Sequence, residues 1–272
     1  MDPIITKAYV PTEHGQIHGR FAGRRDRGKL PLVLLHQTAS SSVMFEDLMA
    51  ELHQDYWLVA LDTPGFGGTA ALPGKASVAG YAAVIMAALE RLEIDTCWLF
   101  GHHSGASIAT QIAYERPALV TKLALSGPPC LSEAQLTKLV PSVCPVALEP
   151  DGAHLMAVWD RIRSKDPTAP LALSHREAVL NLHAGVRYPE AYHAVFEHDL
   201  PGQLAALEQP TLVMAGAQDT IRASLEPAYE ALQHGEMIAF DTGGTYICDS
   251  HPELVAGALR PFFQPDAAEG GA

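Results

Sequence analysis

The chain begins with two short segments, Ile4–Val10 and Gln16–Ala22, in which apolar and polar residues alternate around His14-Gly15. That is the pattern of a hairpin with one wet face at the edge of a sheet. Leu30–Leu35, Tyr56–Leu61, Thr96–Phe100, Lys122–Leu125, Pro210–Ala215 and Glu236–Phe240 are short, predominantly apolar runs of strand length instead. Between them apolar residues recur at helical spacing, in Val78–Leu92, in the series Ala106, Ile108, Ala109, Ile112, Ala113, and in Ala223–Leu232. The alternation predicts an α/β fold with a mostly parallel central sheet flanked by helices. It stops from Pro128 to about Leu207, where Leu131–Leu139, Ala153–Ile162, Ser174–Ala184 and Pro189–Phe196 read as short helices separated by Pro and Gly. The expected organisation is a core of 1–127 and 208–272 with a helical block, 128–207, set into it. Gly23–Lys29 is expected to be a solvated charged turn and the polar tail from Gln264 to fray.

The apolar run ending at Phe100 meets Gly101-His-His-Ser-Gly105 before the next helix begins. Missing side chains at Gly101 and Gly105 permit a sharp reversal that thrusts the residue at its tip into a cleft. This strand, turn and helix resembles the nucleophile elbow of the α/β-hydrolase superfamily, a small-x-nucleophile-x-small pentapeptide. With Gly101 and Gly105 as the small positions, His103 occupies the nucleophile position and Ser104 follows it. The other register, with Ser104 at the tip, puts bulky His102 where a small residue is needed.

The resemblance runs from about residue 28 to 263. His36-Gln-Thr38 is similar to the family's oxyanion loop after the third strand, with Gln37 in place of glycine, and Asp62-Thr-Pro-Gly-Phe-Gly-Gly68 is similar to its D-x-P-G-x-G loop. The block 128–207 resembles a helical cap between the sixth and seventh strands. Pro210–Asp219 resembles the segment ending in the triad acid; Asp219 could instead cap the helix that follows, but the match of strand, glycine and spacing favours the site reading. The last motif departs: Thr245 stands where the family places its catalytic histidine, and His251, immediately before Pro252, is expected outside the cleft.

The resemblance implies roles for these positions. The backbone amides of Thr38 and Ser104 would hold an oxyanion, and His36 would brace the loop or line the site. Trp159, Tyr188, Tyr192 and Phe196 of the cap, with Thr245 and Tyr246 of the last loop, would line a small, largely apolar cleft.

Hydrophobic residues make up 48% of the 272 residues, enough for one large domain with a sheet covered on both faces. A formal net charge of −13 argues against a nucleic-acid groove or an anionic membrane as partner and leaves a small-molecule substrate. Cys97, Cys130, Cys144 and Cys248 lack CxxC spacing, which fits a reducing cytoplasm better than a zinc or disulfide framework. The N-terminus carries no signal-peptide pattern and no apolar run reaches the roughly 18 residues of a membrane span. Nothing implies a metal or organic cofactor, since adjacent His102 and His103 cannot readily face one ion from an elbow. The oligomeric state stays open.

Three functions remain. His103, oriented by Asp219, is a competent general base for activating water or for a lyase-type cleavage. The chain could instead be a ligand-binding pseudoenzyme, or a serine hydrolase using Ser104 and His251.

Overall fold

The computed structural model describes residues 4–26 and 29–264; part of the charged turn and the tail beyond Gln264 lie outside the described residues. The opening hairpin forms β1 (Thr6–Thr12) and β2 (Gly15–Ala22), followed by β3 (Leu32–Leu35), α1 (Glu46–Leu52), β4 (Leu58–Leu61), α2 (Val78–Arg91), β5 (Cys97–His102), α3 (Ser104–Glu115) and β6 (Val120–Ser126). Helices α4 (Glu133–Leu139), α5 (Ala153–Lys165), α6 (Leu171–Ala184), α7 (Arg187–Phe196) and α8 (Leu200–Ala206) come next. The chain then returns through β7 (Thr211–Ala215), α9 (Leu225–Ala231), β8 (Gly235–Ala239), α10 (Ile247–Ser250) and α11 (Pro252–Phe262).

The strands form one 8-stranded sheet in the order β1-β2-β4-β3-β5-β6-β7-β8. Pairing is antiparallel from β1 through β2 to β4 and parallel for the rest. Its central strands read as apolar runs because both faces are covered. Val33, Leu35, Leu99, Leu123 and Leu125 pack with Ala82, Ile85, Ile108 and Ile112 of α2 and α3. On the other face Leu32, Leu34, Phe100 and Met214 pack with Leu48 and Leu52 of α1 and Val255 and Leu259 of α11. Alternate residues of one strand serve opposite layers, as the pleat dictates.

The helical block between β6 and β7 includes α8, which the sequence pattern missed. Pro201 and Gly202 read as breakers, but Pro falls in the first turn, where it costs no hydrogen bond, and the Asp199 side chain accepts from the Gly202 amide. No helix of the described residues is long and apolar enough to cross a membrane.

Asp62, directly after β4, ties the turn that follows it to the hairpin. Its side chain is fully buried beside His18 Nδ1 at 2.7 Å and accepts from the Ser42 amide at 2.7 Å and the Gly68 amide at 2.8 Å. Burial pushes this carboxyl up, but the bond to His18, the nearby His36 and the amide donors outweigh it and hold it down at about 2. A carboxyl lowered on folding stabilises the fold above its ordinary value and loses that stabilisation as pH falls through the folded one. Between about pH 5 and about pH 2.5, urea unfolding should therefore lose on the order of 2 kcal/mol through Asp62. Asp62→Asn should be less stable at neutral pH and show a shallower acid slope; an unchanged slope would remove the assignment.

Candidate active site

Close backbone approach builds the elbow between β5 and α3. A Cβ at Gly105 would lie 2.1 Å from the Leu35 carbonyl oxygen, and one at Gly101 would lie 2.4 Å from the Gly105 carbonyl oxygen. Only glycine fits at either position, so the register with His103 at the tip is set by sterics. His103 has φ 50° and ψ −115°, a strained conformation for a residue with a branched ring. Two hydrogen bonds pin it: its amide donates to the Ser126 carbonyl at 2.9 Å and its carbonyl accepts from the Ala106 amide at 2.8 Å.

The His103 ring reaches Asp219, which follows β7, with Nε2 2.9 Å from Oδ2. The second carboxylate oxygen accepts from the Ile221 amide at 2.9 Å, so both oxygens are held. Burial would raise the Asp219 carboxyl, but the adjacent His103 and its hydrogen bond outweigh this, with His102 and the Ile221 amide adding to them, and keep it at about 2. An ionised carboxylate only accepts, so Nε2 carries a proton, and in the neutral ring the lone pair is on Nδ1. Nδ1 makes no hydrogen bond among the described residues.

Two supporting residues were not singled out as site residues from the sequence. A Cβ on Gly127, at φ 55°, would stand 2.5 Å from Cδ2 and 2.6 Å from Nε2 of the His103 ring, and 3.0 Å from Asp219 Oδ2. This glycine makes the room through which the pair meets; the only local signal was a Gly directly after a strand. His102, fully buried, lies against the His103 ring with centroids 4.3 Å apart. Its Nε2–H donates to the Thr245 carbonyl and its Nδ1 takes the Ser126 hydroxyl, each at 2.9 Å. Burial, and then the neighbouring His103, push its pKa down to about 3, so it is a neutral brace that fixes the Thr245 loop. The Thr245 hydroxyl is 3.1 Å from that of Thr220.

The oxyanion loop differs from the expected arrangement. His36 is buried, donates from Nδ1 to the Gln37 carbonyl at 2.8 Å and accepts at Nε2 from the Thr63 amide at 2.9 Å. It braces the loop, and burial lowers its pKa. Gln37 is buried as well. The Thr38 amide does not face an open hole beside the Ser104 amide, because it donates to Ser104 Oγ at 2.6 Å, and the Thr38 hydroxyl donates to the same oxygen at 2.8 Å. With both interactions accepted, the proton on Ser104 Oγ is left to point elsewhere.

Beside this cluster lies a cavity of about 530 Å³, lined by Thr38, His103, Ser104 and Thr245 and, from the helical block, Tyr188, Tyr192 and Phe196. Two expected lining residues are elsewhere. Trp159 packs against the separate cluster of Val158, Ile162 and Tyr246, since it sits two residues, or about 200°, round α5 from Arg161, which does face the cavity. Tyr246 is 1% exposed in that same cluster. His251 stands at the N-cap position of α11 without a side-chain cap bond, its Nδ1 2.8 Å from Ser250 Oγ, and is not among the cavity's lining residues.

The family profile described as the alpha/beta hydrolase fold matches residues 31–145. A solved 2-hydroxy-6-oxo-6-phenylhexa-2,4-dienoate hydrolase from Rhodococcus superposes with a TM-score of 0.79 at 18% identity, covering 97% of this chain and 100% of that one. Sheet order, elbow and profile together make this chain an α/β-hydrolase-fold protein. An uncharacterised Mycobacterium tuberculosis protein is 32% identical over 157 residues, which span 57% of this chain and only 45% of that relative. The (E)-2-((N-methylformamido)methylene)succinate hydrolase of Acinetobacter baylyi is 23% identical over 86% of this chain and 90% of its own length.

The Gly127 contact generates a direct test. Gly127→Ala should displace the His103 ring and erase the downfield Nε2–H proton resonance of its bond to Asp219. Gly257→Ala, where an added Cβ meets nothing within 4 Å, should leave the resonance in place. Survival of the signal in a folded Gly127→Ala protein would show that the gap is not what admits the ring.

Proposed function

We propose that this chain is a hydrolase that activates water directly, with the His103–Asp219 pair as general base in place of a nucleophilic triad, on a small and mostly apolar substrate. The observation that supports it is the 2.9 Å bond between the elbow residue and the buried acid. Asp219 takes the Nε2 proton side and leaves Nδ1 basic, the arrangement a general base needs. Relatives such as the Acinetobacter protein are hydrolases by name.

Water bound beside the ring gives a proton to His103 Nδ1 as its oxygen bonds to the substrate carbonyl carbon, and the carbonyl π pair moves to oxygen. That oxyanion takes the free Ser104 O–H and the Ser104 amide at the start of α3, each such donor contributing about 3 kcal/mol in a dry site. Collapse expels the leaving group, which receives the proton from the imidazolium. In this scheme Thr38 acts through Ser104, polarising its hydroxyl. Ser104 is poorly set as a nucleophile, since its hydrogen bonds among the described residues go to Thr38 and none to an imidazole.

The test is turnover of a panel of esters, enol esters and carbamates in ¹⁸O-water. Label should enter the acid product; product without label would mean a lyase-type cleavage instead. His103→Ala should reduce kcat/KM by about 10³-fold and Asp219→Asn by about 10²-fold. Ser104→Ala should cost about tenfold to a hundredfold through the lost oxyanion donor, and a serine-directed phosphonate should leave the chain unlabelled. Undiminished turnover in His103→Ala refutes the scheme, and rapid phosphonate labelling at Ser104 restores the serine mechanism.

A further inference from the structure

The charge of the cavity runs against that of the chain. Acidic residues outnumber basic ones by 31 to 18 over the sequence, yet the lining of the cavity holds Lys138, Arg161 and Lys165 and no carboxylate. Arg161 and Lys165 are four residues apart on α5, a spacing that brings both heads to one face of a helix. Like charges so placed repel, and the arrangement persists at a cost unless something offsets it.

Among the described residues the polar and ring partners of both cations are neutral. Arg161 donates to a neutral amide, Asn181 Oδ1, at 2.5 Å. Its guanidinium carbon lies 4.4 Å from the Tyr188 ring centroid, and its buried Nε–H has no hydrogen-bond partner. Lys165 Nζ is 3.5 Å from the Tyr192 hydroxyl and 6.0 Å from that ring. Among the described residues neither forms an ion pair, whereas Arg176 of α6 is bound to Asp249 at 2.7 Å and Arg187 of α7 to Glu190 at 2.7 Å. Glu177, a nearby acid, is already spent on Ser40 and Arg176. Burial also lowers the Lys165 pKa, with Arg161 adding to the effect and Tyr188 and Glu177 opposing it; the charge of a bound anion would oppose the lowering as well.

Resting on the hydrolase reading above, we infer that the substrate carries a carboxylate held by Arg161 and Lys165, so that its apolar body lies along Tyr188, Tyr192 and Phe196 and its reacting carbonyl faces His103. An Arg and a Lys on one helix face can each take one oxygen of a carboxylate, and charge-assisted bonds in a half-desolvated cavity are the strong kind. Aromatic walls beside them suit an arene or hydrocarbon bearing the acid. Exposed Lys138 at the rim adds to the attraction for an incoming anion.

Binding can be measured without turnover. By calorimetry or ligand-observed NMR, benzoate should bind the full chain about tenfold or more tightly than benzamide, its neutral counterpart. Arg161→Gln and Lys165→Met should each weaken benzoate about tenfold and leave benzamide unchanged, while Lys165→Arg should retain benzoate. Equal affinity for benzoate and benzamide, no benzoate binding by the folded parent, or unchanged benzoate affinity in either folded variant would overturn the assignment. Tighter binding of phenyl phosphate than of benzoate would make the site a phosphate site and overturn it too. His103→Ala should bind benzoate within about threefold of the parent. An essential His103 without benzoate selectivity sinks only the carboxylate site, and selectivity with a dispensable His103 sinks only the general-base reading.

Discussion

The site depends on one constraint, the near contact of α3 with the ends of β3 and β5. With the Gly105 Cα pressed on the Leu35 carbonyl and Gly101 on Gly105, the backbone must reverse within the residue between strand and helix. His103 absorbs the reversal at φ 50°, a cost of order 1–3 kcal/mol that the packed elements around it enforce. The strain is what lifts the ring out of the elbow and aims it at Asp219.

Around that ring the protein manages protons by tautomer and burial. Asp219 is ionised and tied at both oxygens, which fixes the proton on His103 Nε2. His102 is held neutral by burial and consumed by Ser126 and the Thr245 carbonyl. The two adjacent histidines are placed differently, since one ends a strand inside the core and the other sits at the tip of the elbow. Thr245 stands in the loop after the last strand, and Asp219 is met by the imidazole of the elbow residue.

The helical block is wired to the core at charged joints. Glu177 accepts from Ser40 beside the oxyanion loop at 3.0 Å, and Arg176 bonds both Glu177 and Asp249 in α10. Buried networks of this kind hold orientation more than they add stability. They keep α6, and through it the cavity wall, in register with the loop that carries Thr38. On the neighbouring α5 the cations Arg161 and Lys165 form no such ion pairs among the described residues.

The sequence by itself determined the α/β alternation, the helical block, the elbow register and the position of Asp219, because each rests on local rules: apolar period, glycine at crowded backbone, Asp after a strand. Only the tertiary structure decided where side chains separated along the chain meet. The His103–Asp219 bond joins residues 116 positions apart, and its clearance is supplied by Gly127 on a third strand's end. The Ser104 hydroxyl standing on the Thr38 amide depends on how closely two loops approach. Trp159 and Tyr246 left the cavity, and Arg161 and Lys165 entered it, through the rotation of α5 and the turn of the last loop. Helical periodicity shows that such a helix has two faces; packing against the rest of the molecule chooses which one meets the ligand.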